Sequence, residues 1–288
     1  MRIGVFGNCH GVALAACIER LVPGVEIHRF GMDQALGADP ATIERQMEAF
    51  SECDVVFIQP TIGHRIQGLL PEDFGARCKM VVPYPMLACR SLQPDSHYVF
   101  SAAGKVVGGP LGGYHSGIVL GSFLKGLPEA RALSLFNRFV YRVLGYSEVD
   151  ISREAIGRDA SKFGYDYSDF FSGRRGRFMH TINHPAISLV FETAVQALRK
   201  AGIAAEVDRG PPGDALEGGV IWPVYPGLSD VFQADDAPLC FRRARRAISL
   251  SLREFVAESY AFYRTAGIEM KSSLSDRVKQ FIDAEVVT

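Results

Sequence analysis

The first third of the chain shows short apolar runs separated by amphipathic segments. Four runs rich in Val, Ile and Phe have the length and composition of strands, at 2–6, 25–30, 54–60 and 79–82. Apolar residues between these runs recur at helical spacing. Strands that alternate with helices along a chain favour a parallel sheet with right-handed crossovers. We therefore predict an α/β fold with an N-terminal parallel sheet.

Two helices carry clear terminal signals. Asp39 has the residue type of an N-cap, and Pro40 suits the first turn of the helix that follows. The expected core face of this helix consists of Ile43, Met47 and Phe50. A later helix, at 186–200, also has an apolar face, and Gly202 is expected to end it.

The C-terminal half is predicted to be mainly helical. Helical periodicity covers most of the segments 118–144, 239–265 and 274–284. The largest change in composition occurs near residue 150, where a polar, aromatic and Arg-rich segment begins. We therefore expect an α/β domain at 1–150 and a mainly helical part at 151–288, packed on the first as one compact unit.

Composition and charge exclude several classes of protein. The 288 residues carry a formal net charge of −1, so no global basic field attracts nucleic acid. No window reaches the ~18 uninterrupted apolar residues of a transmembrane helix. The N-terminus enters a strand without the charged and apolar regions of a signal peptide, so we expect a cytoplasmic protein. Six cysteines lack CxxC or zinc-ligand spacing, which indicates free thiols and no metal site.

The most distinctive chemistry lies in the turn Gly7-Asn8-Cys9-His10-Gly11, between the first strand and the first helix. Ligands of open parallel sheets bind beyond the carboxyl ends of the strands. The N-terminus of a helix stabilises a thiolate, so Cys9 is a candidate nucleophile and His10 a candidate base. The amide of Asn8 is a candidate donor to an oxyanion. Two alternatives stay open: a buried structural cysteine, or a Gly-rich turn that only binds phosphate.

Other polar residues follow the later strands of the predicted sheet. Thr61, His64 and Arg65 come after the third strand, and Tyr84 comes after the fourth. Because the strands are expected to be parallel, these side chains are predicted to lie on the same edge of the sheet as Cys9. The alternative is a set of solvated loop residues.

A second candidate motif is Asn183-His184-Pro185, at the start of the later helix. Proline disfavours a helical conformation in the residue before it, so His184 should be extended. We expect Asn183 or His184 at the helix cap, where the helix dipole keeps the imidazole neutral and able to act as a base. The alternative is a capping and packing role for both residues.

Three arginines stand among glycines shortly before this motif: Arg174, Arg175 and Arg177. The guanidinium group binds phosphate and carboxylate groups in two-pronged geometry, so these residues are candidates for holding an anionic ligand. The alternative, a solvated basic loop, carries equal weight because exposed arginines are common.

The turn Gly7-Asn8-Cys9-His10 after a first strand, supported by Asn183-His184-Pro185, resembles the WcbI-type polysaccharide biosynthesis proteins. These are capsular polysaccharide acetyltransferases that bind coenzyme A. The resemblance implies transfer of an acetyl group from acetyl-CoA to a sugar hydroxyl, with Cys9 and His10 as the catalytic candidates. On chemistry alone, the expected coenzyme contacts are Gly7, Gly11, Tyr84, Arg174, Arg175 and Arg177.

The first turn is also similar in placement to the Gly-Asp-Ser block of SGNH-type hydrolases, with Asn8-Cys9 instead of Asp-Ser. The predicted sheet is therefore Rossmann-like or SGNH-like. That hydrolase class also needs an Asp-x-x-His block near the end of the chain, which is absent, so His184 would have to supply the base. Two rivals to the acetyltransferase remain: a cysteine esterase or thioesterase with the same residues, and a non-catalytic coenzyme or nucleotide binder.

Two chemical routes fit an acetyltransferase. In one, Cys9 takes the acyl group from the thioester and passes it to the acceptor hydroxyl. In the other, His10 or His184 removes the hydroxyl proton and the acceptor attacks directly. Both routes place the tetrahedral oxyanion at Asn8 and the backbone N–H groups of the turn. Both also require Cys9, His10 and His184 to meet in one pocket.

Overall fold

The computed structural model describes residues 1–60, 66–101, 103–146, 156, 160–172, 177–225, 228, 239–244, 249–266 and 278–280. The chain divides into two compact units. The first unit consists of Met1–Ala88, Glu154–Arg174 and His184–Leu216, and the second of Cys89–Arg153, Arg175–Asn183 and Glu217–Thr288. This division differs from the predicted boundary near residue 150, because each unit takes segments from both sides of it.

A four-stranded parallel sheet forms the first unit's centre, as predicted. Its strands are β1 (Arg2–Gly7), β2 (Glu26–Gly31), β3 (Val55–Ile58) and β4 (Val81–Pro83), in the order β2-β1-β3-β4. Every residue of β3 is buried, and so is β1 from Ile3 onward, which explains why these runs are almost continuously apolar. The carboxyl ends of all four strands lie at one edge of the sheet.

Helices occur along the whole length of the described chain. In chain order they are α1 (Cys9–Leu21), α2 (Met32–Leu36), α3 (Pro40–Ser51), α4 (Pro71–Arg77), α5 (Gly117–Leu124), α6 (Glu129–Ser134), α7 (Arg138–Val143), α8 (Ser168–Phe171), α9 (Ile187–Lys200) and α10 (Leu252–Ala266). A short 3₁₀ helix covers Val207–Arg209. Among these helices, none combines the length and the apolar character that crossing a bilayer requires.

The predicted signals of α3 are confirmed. The Asp39 side chain accepts a hydrogen bond from the backbone N–H of Thr42 at 2.7 Å, and Pro40 is the first helical residue. The predicted core residues of this helix, Ile43, Met47 and Phe50, are buried. Local capping and periodicity therefore determine where this helix begins and which face it buries.

Helix α9 covers α1 within the first unit. The contact explains the apolar face of α9, on which Leu189, Val190, Ala194, Ala197 and Leu198 are buried. Gly202 follows the helix with φ of 68°, as expected for a residue that ends a helix in the left-handed conformation. Because α9 comes from the C-terminal half yet packs on α1, the change in composition near residue 150 does not mark a boundary between units.

The remaining strands are short. They are β5 (Ser96–Tyr98), β6 (Tyr114–Ser116), β7 (Met179–Thr181), β8 (His184–Pro185), β9 (Cys240–Arg242) and β10 (Ser249–Ser251). In the second unit, β5 pairs with β6 and β9 pairs with β10, both antiparallel. Its core contains the stacked rings of Phe241 and Phe255, with Trp222 edge-on to both. Trp222 is fully buried in this core.

One predicted helical segment of the second unit needs correction, and another lies mostly outside the described residues. Among the described residues of the segment 239–265, the helix begins at Leu252, because β9 and β10 precede that residue as an antiparallel pair. Phe241 and Leu250 face each other in this pair and are buried, while their strand neighbours are exposed or half-buried. That alternation has the period of a strand. Of the segment 274–284, only 278–280 belong to the described residues.

Candidate active site at the first turn

Asn8 caps the helix that begins at Cys9. Its side-chain oxygen accepts from the backbone N–H of His10 at 2.9 Å, and its backbone oxygen accepts from Gly11 N–H at the same distance. The backbone N–H of Asn8 itself donates to Oε1 of Gln59 at 3.2 Å. Three backbone N–H groups of the turn are therefore already bonded within the protein. An oxyanion site built from these three groups, as the sequence predicts, is not favoured by this geometry.

Packing against Tyr84 explains why two positions of the turn are glycines. Its ring is fully buried, and its hydroxyl donates to the backbone oxygen of Phe6 at 3.3 Å. A Cβ atom on Gly7 would overlap this hydroxyl, and one on Gly11 would lie 3.3 Å from it. The glycines thus allow the close approach of Tyr84, and burial raises the pKa of that phenol. Contact of Gly7, Gly11 and Tyr84 with a coenzyme stays a prediction.

Cys9 is the first residue of α1, and its side chain is half-buried. Burial raises the pKa of its thiol, against the smaller lowering effect of the backbone N–H groups of Cys9 and His10. The carboxylate of Asp33 raises this pKa further. The sequence predicts that the helix N-terminus stabilises the thiolate of Cys9 and so lowers its pKa. This prediction is wrong, because the loss of solvation raises the pKa more than the backbone N–H groups lower it.

Cys17 and Cys53 provide a comparison with thiols in the core. Both are fully buried, and burial raises their pKa values to about 12 and about 11. Cys9 differs from them in being partly accessible to solvent. Cys9 is thus a partly exposed thiol at the carboxyl end of β1.

His10 is buried and held by two groups from later parts of the chain. Its Nδ1 atom lies 3.1 Å from Nε2 of Gln59 and 3.4 Å from the backbone nitrogen of Leu87. Gln59 is 1% exposed, and its Nε2 also donates to the backbone oxygen of Pro85 at 3.5 Å. Gln59 therefore connects the end of β3, the first turn and the segment that follows β4.

Gln59 is a site residue that sequence reasoning missed. It follows directly on the buried strand β3, whose neighbour in the sheet is β1. A polar side chain immediately after a buried parallel strand, next to the strand that precedes the candidate turn, is a signal that would have indicated it.

His184 lies in the first unit, in the short strand β8, and is half-buried. Its extended conformation before Pro185 is confirmed. The predicted helix start is wrong, because α9 begins at Ile187 with Ala186 as its N-cap. The carboxylate of Asp214 accepts from Ile187 N–H at 2.8 Å and thus occupies this helix terminus. The helix dipole therefore does not account for a neutral His184.

Helix α1 contacts strand β8 within the first unit. The first two residues of α1 are Cys9 and His10, and β8 begins with His184. The structure therefore brings the two elements that carry the predicted imidazoles and thiol into contact. Meeting of the three side chains in one pocket stays a prediction.

Asn183 belongs to the second unit, where hydroxyl groups surround it. Its Oδ1 accepts from Tyr114 at 2.5 Å and from Thr181 at 3.2 Å, and its Nδ2 donates to the Tyr98 hydroxyl at 2.9 Å. These bonds hold the amide in one orientation. The predicted capping role of Asn183 is wrong because α9 starts later, and a catalytic role stays a prediction.

The predicted arginine and loop ligands fall into two groups. Arg174 and Arg175 lie outside the described residues, as do Thr61, His64 and Arg65. Arg177 is exposed and belongs to the second unit. A phosphate-binding role for the arginines stays a prediction. Within the described part of the chain, no group of three or more His, Cys, Asp and Glu side chains has the arrangement of a metal site.

Comparisons with known proteins identify a family model and a solved structure that this chain resembles. A family model described as polysaccharide biosynthesis enzyme WcbI matches residues 2–206. A solved structure of WcbI, described as a novel polysaccharide biosynthesis enzyme, aligns with a TM-score of 0.73 at 16% identity and covers 100% of this chain and 95% of that chain. It is further described as native protein without a disulfide bond between coenzyme A and a cysteine.

No curated protein matches the chain by sequence. The family match nevertheless spans well over half of the chain, including the whole of the parallel sheet, the first turn and β8. The likeness in structure confirms the predicted α/β fold. The chain therefore belongs to the WcbI family of polysaccharide biosynthesis enzymes.

Proposed function

We propose that the protein is a coenzyme A-dependent O-acyltransferase that transfers an acetyl group from acetyl-CoA to a saccharide hydroxyl. One observation carries the proposal: Cys9 is a half-buried thiol just beyond the carboxyl end of β1, where parallel sheets hold their ligands. The solved WcbI structure is described in terms of coenzyme A and a cysteine. A reachable thiol at this place suits a coenzyme whose reactive atom is sulfur, and a saccharide acceptor suits a polysaccharide biosynthesis family.

In the direct route, the saccharide oxygen attacks the carbonyl carbon of the thioester while a base takes the hydroxyl proton. The C–S bond then breaks, and coenzyme A leaves as a thiolate that takes up a proton. His184 suits the role of base because it is half-buried and its strand contacts the helix that begins at Cys9. The raised pKa of Cys9 favours this route, since it leaves the cysteine as a thiol at neutral pH.

In the covalent route, Cys9 loses its proton to a base and its sulfur attacks the thioester carbonyl. Coenzyme A leaves as the first product, and an acyl-Cys9 thioester remains. The saccharide hydroxyl then attacks this thioester and releases the Cys9 thiolate. This route demands an additional deprotonation of a thiol whose burial opposes it.

Release of coenzyme A from acetyl-CoA tests the proposal. The purified protein is incubated with acetyl-CoA, with and without a panel of mono- and oligosaccharides. Free coenzyme A is measured by chromatography, because a thiol reagent would also react with the exposed thiol of Cys240. Release that depends on an acceptor, together with an acetylated saccharide, is expected. Acceptor-independent release would support a hydrolase instead. Coenzyme binding without turnover on any acceptor would support a non-catalytic binder.

A further inference from the structure

Asp33 carries an exposed carboxylate at the same edge of the sheet as Cys9. Strands β1 and β2 are parallel neighbours, and Gly7 lies opposite Gly31 in their register. Cys9 comes two positions after Gly7, and Asp33 comes two positions after Gly31. Neighbouring strands lie about 4.8 Å apart. The thiol and the carboxylate therefore follow two paired strand ends, where open parallel sheets hold their ligands.

Gly31 leaves the room that this carboxylate occupies. Its backbone is extended, with φ of −94° and ψ of 154°, a conformation that any residue adopts. A Cβ atom at this position would nevertheless lie 2.5 Å from Oδ1 of Asp33. The side chain of Asp33 thus turns back over the last residue of β2. The glycine is explained by the position of the carboxylate and not by the backbone conformation.

The start of α2 does not depend on this carboxylate for a cap. The backbone N–H of Gly31 donates to Oε1 of Gln34 at 2.9 Å, so another side chain binds that group. None of the hydrogen bonds and ion pairs among the described residues involves the carboxylate of Asp33. An acidic side chain in the first turn of a helix also interacts favourably with the helix dipole. That effect does not require the side chain to lie over Gly31.

The charge of Asp33 acts on the thiol of Cys9. Burial is the main cause of the raised pKa of Cys9, and the carboxylate of Asp33 raises this pKa further. An effect of one charge on another group in water falls with distance, so the two side chains must lie near each other. The carboxylate and the half-buried thiol therefore belong to the same part of the sheet edge.

A carboxylate beside the thiol discriminates between the two substrates of an acyl transfer. It repels the phosphate groups of coenzyme A. It accepts hydrogen bonds from hydroxyl groups, and its two oxygens suit a saccharide with hydroxyls on adjacent carbons. Among the groups that must come close to Cys9, the hydroxyls of the acceptor are thus the ones that Asp33 favours.

We propose that Asp33 binds the saccharide acceptor, by accepting hydrogen bonds from hydroxyl groups adjacent to the one that is acylated. This role rests on the proposed acyl transfer, whereas the placement of the carboxylate beside Cys9 does not. Asp33 then determines specificity, because it disfavours acceptors with a negative charge at the same place.

Alkylation of Cys9 tests the placement without any activity measurement. The rate with iodoacetamide is measured against pH in a Cys240→Ser background, by mass spectrometry of the Cys9 peptide. Asp33→Asn removes the charge at nearly constant size, so the midpoint of this profile should shift to lower pH. Glu48→Gln is the matched control, since it removes the same charge from an exposed position of α3 in the first unit. An unshifted midpoint in Asp33→Asn would overturn the placement.

Steady-state kinetics tests the role in acceptor binding. Asp33→Ala should raise the KM for the accepted saccharide by about 10- to 100-fold, the usual effect of losing hydrogen bonds to a charged group. The kcat and the KM for acetyl-CoA should stay nearly unchanged. Asp33→Asn retains one acceptor oxygen and should show a smaller rise. A raised KM for acetyl-CoA, or a loss confined to kcat, would contradict the assignment to the acceptor.

Gly31→Ala keeps the carboxylate but displaces it, because the new Cβ atom would overlap Oδ1 of Asp33. This variant should also raise the KM for the saccharide, with little loss of stability, since the displaced group is the end of an exposed side chain. Gly37→Ala is the matched control, because the nearest atom to its Cβ position is 4.0 Å away. An unchanged KM for the saccharide in Gly31→Ala would refute a role that depends on this position.

The two sets of measurements separate this proposal from the proposed acyl transfer. Absence of turnover on any saccharide, together with a shifted alkylation midpoint in Asp33→Asn, would refute the acyl transfer and with it the acceptor role, and would leave the placement of Asp33 intact. Turnover in the wild-type protein with an unchanged KM for the saccharide in Asp33→Ala would refute the acceptor role alone.

Discussion

The hydroxyl group of Tyr84 occupies the space that a side chain on Gly7 would need. The same hydroxyl donates to the backbone oxygen of Phe6, directly before that glycine. A residue that follows the fourth strand thus supports the turn after the first strand. This contact explains the spacing of the glycines in the turn by packing, without reference to a ligand.

Gly7→Ala is expected to destabilise the protein by about 1–3 kcal/mol, the usual cost of forcing extra volume into a packed site. Gly75→Ala is the matched control, since Gly75 lies in helix α4 with open space at its Cβ position. Alanine is the better helix former, so this control should gain up to about 1 kcal/mol. Unfolding in denaturant, followed by circular dichroism, measures both changes.

The double variant Gly7→Ala with Tyr84→Phe isolates the contact between these two residues. Removing the hydroxyl relieves part of the overlap, so the double variant should lose less stability than the two single variants together. If the two losses simply add, the contact between Gly7 and Tyr84 does not explain the glycine.

Alkylation of Cys9 is expected to be slow at neutral pH. Because burial raises the pKa of this thiol, the thiolate fraction at pH 7 is smaller than in an ordinary cysteine. The rate with iodoacetamide should still be rising above the usual thiol pKa of about 8.5. Mass spectrometry of the Cys9 peptide, in a Cys240→Ser background that removes an exposed thiol, measures this rate. A plateau below pH 7 would mean that the turn stabilises the thiolate after all.

Substitution of Cys9 and His184 distinguishes the two routes of acyl transfer. The direct route predicts that Cys9→Ala keeps kcat within about tenfold, whereas His184→Ala loses about 10²- to 10⁴-fold, the usual contribution of a general base. Steady-state kinetics with acetyl-CoA and the accepted saccharide measures both variants. Abolished turnover in Cys9→Ala, together with an acyl-enzyme in the wild-type protein, would establish the covalent route instead.

His97 and Asp95 give the second unit opposing dependences of stability on pH. Burial, followed by the charges of Arg90 and His115, lowers the pKa of His97 to about 4. The contribution of His97 to folding stability is therefore present above its unfolded pKa of about 6.5 and is lost as the pH falls through 4. Burial raises the pKa of Asp95 to about 6, despite hydrogen bonds from Ser116 and other donors. Its contribution is present below its unfolded pKa of about 3.9 and is lost as the pH rises through 6.

Reciprocal variants should therefore change the pH profile in opposite directions between pH 4 and 6.5. Relative to the wild-type protein, His97→Gln should become more stable as the pH falls, and Asp95→Asn less stable, each by up to about 3 kcal/mol. The free energy of unfolding at pH 4.5, 5.5 and 6.5 measures both trends. Parallel profiles for wild type and either variant would show that the substituted group keeps its ordinary pKa in the folded protein.

The sequence by itself determined the local elements of this protein. The order of strands and helices in the first unit, the cap at Asp39 and the buried face of α3 all follow from residue types within a few positions of each other. The short turn with Cys9 and His10, together with Asn183-His184-Pro185, was also sufficient to indicate the WcbI family. Periodicity and capping are local properties, so a single sequence reveals them.

Only the tertiary structure decided how those elements are used. Gln59 reaches His10 across 49 positions and Leu87 reaches it across 77, so the state of the imidazole depends on crossovers that no local pattern specifies. Likewise, α9 begins at Ile187 because Asp214, far along the chain, takes its terminal N–H group. The pKa of Cys9 depends on how deeply the folded chain buries this residue. Burial raises this pKa more than the backbone N–H groups at the start of α1 lower it.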